Sequence, residues 1–180
     1  MRILADNTTG LVIDLQERLV PVMSNKEELI KNCQVLIQGL EALEVETAVT
    51  HQYSKGLGVT IPEIQECITD FKAIEKVDFS CMDETEYASW LKETGKKNVI
   101  ICGIESHVCV LQTAVDLKDA GFNPIVVWDC VSSRTEENKA ISLERLRHEG
   151  IMVTSYESIL FELTRSAKAP AFKAVSKLVK

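Results

Sequence analysis

With 180 residues, the chain is long enough to bury one sizeable core and too short for two comfortable ones, so residues 1–180 are expected to form a single domain. The 46% apolar and 26% charged residues fit a soluble globular protein, and a net charge of −7 without an extended basic patch excludes nucleic acid as an expected partner. The apolar runs are too short to span a membrane or serve as a signal peptide, so no membrane partner is expected and a cytoplasmic setting is.

Six cysteines (Cys33, Cys67, Cys81, Cys102, Cys109 and Cys130) form no CxxC pair and no regular framework, which reads as reduced thiols without zinc spacing. The first predicted strand, Leu11 to Leu15 (LVIDL), is a continuous apolar run interrupted by Asp14. Such runs suit strands buried on both faces of a parallel sheet. An acid at the carboxyl end of a buried strand lies where α/β sheets hold ligand-binding groups, although an Asp there also caps turns. Gln16 follows and is placed at the same crevice.

Asn25 to Leu43 has the apolar spacing of a helix, with Asn25 or Ser24 as its cap. Glu46 to His51 reads as the second strand. After it, HQYSKGLGVTIPEI has the glycines and proline of a loop placed to cover a pocket, with Tyr53 among its residues. His51 has no second His or acid at ligand spacing, which favours a structural or pocket histidine over a metal ligand. Phe71 to Lys76 is a short third strand. Its terminal Lys76 is either a solvated surface charge or a partner for Asp14 at the mouth of the same sheet.

Asp83 is expected to cap a helix that runs through Leu91 and closes near Gly95. Asn98 to Cys102 is the fourth strand, and Ile104 to Ala120 the central helical region, ending at Gly121. Cys109 falls about one turn inside that helix, where unpaired N–H groups and the helix dipole gather. A thiol there is either an activated nucleophile or a small buried core residue. Asn123 to Trp128 is the fifth strand, Thr135 to Gly150 a helix, Ile151 to Thr154 a sixth strand and Tyr156 to Leu163 a helix. In the tail, residues 165–180, Phe172, Val175, Leu178 and Val179 form an apolar stripe that needs a surface to dock on, within the chain or on another subunit.

This alternation predicts a three-layer α/β/α sandwich with a six-stranded parallel sheet in the order 3-2-1-4-5-6, a Rossmann-like arrangement. Asp14, Lys76 and the turn before Cys109 would then meet at the carboxyl edge near the switch point. No glycine-rich fingerprint follows the first strand, so no nucleotide or flavin cofactor is expected.

The combination of VIDLQ, EKVDFSCM, GIESHVCVLQTAVDLKDAGF, VVWDCVSSRTEENKAISLERLRHEG and SILFEL resembles the isochorismatase-like cysteine hydrolase superfamily over nearly the whole chain. Within it, HVCVLQTA and YSKGLGVTIPE look most like the small isochorismatase domain-containing proteins. The resemblance implies a triad: Cys109 as nucleophile, Asp14 as general base and Lys76 as the orienting cation. It also implies a cis peptide at Ile104–Glu105 and an oxyanion hole from the backbone N–H groups of Glu105 and Cys109. Cleavage of a small amide or ureido C–N bond through a thioester is the activity so implied.

This chain departs from many amidases of the superfamily in having Ser106 and His107 before the nucleophile, and these join Gln16, His51 and Tyr53 as candidate pocket residues. With only His51 in the loop where nicotinamidases place an Asp and paired histidines, no catalytic metal is expected. The resemblance implies a homo-oligomer, dimer or tetramer, acting on a small-molecule substrate. The alternative is a catalytically weak member of the fold that works as a binding or assembly module.

Overall fold

The computed structural model describes residues 2–180. Its six-stranded sheet is parallel throughout, in the order β3-β2-β1-β4-β5-β6. The strands are β1 (Thr8–Ile13), β2 (Thr47–Gln52), β3 (Ala73–Lys76), β4 (Asn98–Ile104), β5 (Asn123–Ser132) and β6 (Met152–Thr154). Every residue of β1 and β4 is buried, because helices cover both faces and successive side chains of a strand point to opposite layers. Val12 and Ile100 join one core layer, with α1 (Lys26–Ala42), α7 (Tyr156–Thr164) and α8 (Phe172–Leu178). Leu11, Ile13, Val99 and Ile101 join the other, with α4 (Thr85–Thr94), α5 (Leu111–Asp119) and α6 (Glu136–His148). This is the α/β/α sandwich and strand order that the alternation predicts.

Local chemistry moves several boundaries. Asn25 precedes α1 in a left-handed conformation (φ 50°), so its side chain does not cap the helix; its amide donates instead to Glu136 Oε1 at 3.2 Å. Asp83 does not cap α4 either. It closes the 3₁₀ turn Cys81–Asp83, and the Glu84 carboxylate accepts the Glu86 N–H. The loop after β2 carries two short helices, α2 (Ser54–Leu57) and α3 (Pro62–Gln65). β5 runs four residues past Trp128, its register against β4 shifting between Ile101 and Gly103. The tail is helical over Phe172–Leu178 and docks on α1 and α7 of its own chain, with Val175 fully buried.

One glycine fixes how β4 meets β1. At Gly103 (φ 117°) an added Cβ would stand 2.0 Å from the carbonyl oxygen of Ile13. Only glycine permits both that backbone angle and that approach. The residue after Ile13 is Asp14, so the contact also sets where β1 delivers its carboxylate.

Candidate active site

Three chain ends converge at the carboxyl edge of the sheet. β1 ends at Ile13, and the next residue, Asp14, turns in the left-handed region (φ 53°), its carbonyl accepting the Gln16 N–H at 2.7 Å. β3 ends at Lys76, and β4 leads through the cis peptide Ile104–Glu105 into a π-helical turn, Ser106–Val110, before α5 begins. The Glu105 carbonyl accepts N–H groups from both Val108 and Val110, so the turn is wound wider than an α-helix. Cys109 lies within this turn and is buried.

The Lys76 ammonium donates to Asp14 Oδ2 at 2.8 Å and stands 3.7 Å from Cys109 Sγ. It also meets Gln52 Oε1 at 2.6 Å and the carbonyls of Asp78 and Phe79 at 3.3 Å each. The Asp14 and Lys76 side chains are wholly buried, and Asp14 Oδ1 accepts the Thr50 hydroxyl at 2.8 Å. A buried pair of this kind persists only when its remaining valences are met, and here they are. Burial works against the ammonium, but Asp14 and the Cys109 and Cys81 sulfurs outweigh it and raise the Lys76 pKa.

Burial and the Asp14 charge push the Cys109 thiol up to about 12, against the lowering effect of Lys76. Cys109 is therefore held as a neutral thiol beside a carboxylate–ammonium pair, because the lysine's charge is already shared with Asp14. Proton removal has to accompany attack, and the carboxylate is placed to accept it.

The five candidate pocket residues do different things. Gln16 is a buried clamp: its amide donates to the carbonyls of Gln52 and Gly58 and its oxygen accepts the Gln52 N–H. His51 Nε2 accepts the Thr60 N–H at 3.0 Å, which leaves its proton on Nδ1, 3.5 Å from Glu75 Oε1. That lone pair is not free for a metal. Among the described residues, no group of three His, Cys, Asp or Glu side chains is arranged to hold one.

Ser106 is buried against Ser133 Oγ (2.5 Å) and Ser142 Oγ (3.1 Å), and His107 Nδ1 meets the same Ser133 hydroxyl at 2.9 Å. Both brace the turn that holds Cys109. Tyr53 is exposed and lines a cleft that reaches Lys76. Glu105 accepts the Arg134 backbone and guanidinium N–H groups through Oε2.

Sequence reasoning missed Thr50, Gln52 and Cys81. Thr50 and Gln52 stand two apart on β2 and so share a face, turned to Asp14 and Lys76, while His51 between them turns to the loop. Two polar residues at period two near the end of a buried strand were the available signal. Cys81 Sγ lies 3.9 Å from Thr50 Oγ1, and burial raises that thiol to about 11.

The Isochorismatase domain family model matches residues 8–158. A secreted isochorismatase effector, Isc1, of Phytophthora sojae is 38% identical over 99% of this chain and 87% of its own length. Isochorismatase domain-containing protein 2 of Danio rerio is 35% identical over 94% of this chain and 85% of its own. The solved structure of MAR1 ribonuclease from Caenorhabditis elegans superposes with a TM-score of 0.93 at 37% identity, covering 99% of this chain and 92% of that one.

Proposed function

The chain belongs to the isochorismatase family, and from that premise we propose that it is a cysteine hydrolase that cleaves a small amide or ureido C–N bond. The observation that carries this reading is the shared ammonium of Lys76, which joins the Asp14 carboxylate to the Cys109 sulfur in a buried site. As Cys109 Sγ attacks the substrate carbonyl, an S–C bond forms and the thiol proton passes to Asp14. The backbone N–H groups of Glu105 and Cys109 receive the oxyanion. When the C–N bond breaks, Asp14 returns the proton to nitrogen, and ammonia or an amine leaves. Asp14 then takes a proton from the water that attacks the thioester carbonyl and passes it to the sulfur as the S–C bond breaks, which frees the acid and restores both thiol and carboxylate. Lys76 holds the Asp14 carboxyl in place throughout.

Ammonia release from a panel of small amides and ureides tests this reading. Wild type is expected to release it, and Cys109→Ala to fall to the blank; activity persisting in Cys109→Ala would contradict it. The likeness to a chain called a ribonuclease favours a second reading, cleavage of RNA. The net charge of −7 supports the first, and a labelled RNA oligonucleotide in the same assay separates the two.

Residues 1–180 act as one domain in this reading, with no cofactor. Six free, buried thiols support a reducing, cytoplasmic setting, which fractionation under native expression tests. The family resemblance supports self-association, to be read by light scattering; a monomer at all concentrations would refute it. No helix among the described residues is long and apolar enough to cross a membrane.

A further inference from the structure

The cysteine-hydrolase reading leaves the substrate's charge open, and the groups around the site bear on it. The one cation in contact with the thiol, Lys76, has no valence left. Its three hydrogens already face four oxygens and a sulfur. A substrate carboxylate beside the scissile bond would find no donor there without displacing Asp14, Gln52 or a backbone carbonyl. A further cation, Arg134, has its Nε–H and backbone N–H both held by Glu105 Oε2.

The cleft that reaches Lys76 has a volume of about 670 Å³. Its walls carry three carboxylates, Glu75, Asp78 and Glu84, against one further lysine, Lys55. Burial is the largest single influence on Glu75 and opposes its ionisation, but the Ser54 hydrogen bonds and the nearby His51 together outweigh it and hold the carboxyl below the usual carboxylate range. Tyr53 and Val77 supply the apolar part of the walls, and the neighbouring Phe79 is also exposed. With Lys76 neutralised by Asp14 and three carboxylates facing Lys55, the cleft is net negative, and such a cleft concentrates cations and repels anions.

We propose that this site takes uncharged or cationic carboxamides with an apolar acyl part and excludes substrates that carry a carboxylate near the scissile bond. Asp78 and Glu84, with Glu75, set this selection, and Lys76 enforces it by offering no free donor. The inference rests on the nucleophile assigned above and deepens it.

Three methanethiosulfonates of similar size test it without requiring the natural substrate: aminoethyl (cationic), methyl (neutral) and sulfonatoethyl (anionic). The rate of modification at Cys109 is followed by peptide mass mapping and normalised to each reagent's rate with a free thiol peptide. The cation is expected to exceed the anion by about tenfold at low ionic strength, the ratio shrinking as salt screens it. In Asp78→Asn/Glu84→Gln the ratio is expected to fall toward that of the free peptide. A normalised ratio at or below one, or one unchanged in the double variant, overturns the proposal; preference for the anion would point to Arg134 as a carboxylate binder. Silence at Cys109 toward all three reagents even at pH 10, where its thiolate begins to form, overturns the nucleophile reading itself, and this proposal with it.

Discussion

Asp14 acts on Cys109 in two opposed ways. Its charge, together with burial, raises the thiol pKa, and in the proposed mechanism its oxygens accept the proton as the thiol attacks. Replacing it separates the two effects. In Asp14→Asn the charge that raises the thiol pKa is gone while Lys76 remains, so alkylation of Cys109 by iodoacetamide at pH 8 is expected to quicken. Hydrolysis is expected to fall about 10²–10⁴-fold, the usual worth of a positioned base. Slower alkylation together with intact turnover would remove Asp14 from the role of base. In wild type, a thiol at about 12 predicts an alkylation rate that climbs about tenfold per pH unit from pH 7 to 10, with no plateau near neutrality.

At the scale of elements, the site depends on how β4 and β1 approach each other. Gly103→Ala would place a Cβ against the Ile13 carbonyl in a backbone region closed to alanine, and no flexible side chain is there to yield. A loss of more than about 2 kcal/mol in urea unfolding is expected; a variant as stable as wild type would show that this packing is not needed. Strands were legible in the sequence because LVIDL and NVIIC are apolar runs that only a sheet covered on both faces can bury. Their order followed from the alternation with helices. Caps were less legible: Asn25 and Asp83 have the right chemistry for capping, but tertiary contacts fixed their backbones otherwise. The clustering of Asp14, Lys76 and Cys109 could be expected from strand ends alone. The acceptors around Lys76 could not, since two of them are backbone carbonyls with no sequence signal.

Across the whole molecule, the two core layers share the same six strands, so we expect the chain to unfold as one unit, with circular dichroism and tryptophan fluorescence giving coincident transitions. Every cysteine has its pKa raised, burial being the main cause in all but Cys102, where the Cys33 contact comes first. The sign for stability follows. Unfolded thiols release protons near pH 9 while the folded ones hold theirs, so the unfolded state binds fewer protons and stability falls as pH rises. Urea unfolding under reducing conditions is expected to show lower stability at pH 10 than at pH 8; equal or greater stability at pH 10 would contradict the burial assigned to these thiols. The central claim is that Cys109 forms a covalent acyl-enzyme, and intact-protein mass spectrometry of rapidly acid-quenched mixtures with small uncharged amides tests it most directly. A substrate-dependent mass increase equal to the acyl group, mapped to Cys109 and absent in Cys109→Ala, is the result this account predicts. Ammonia release with no such adduct in wild type, and undiminished in Cys109→Ala, would contradict it.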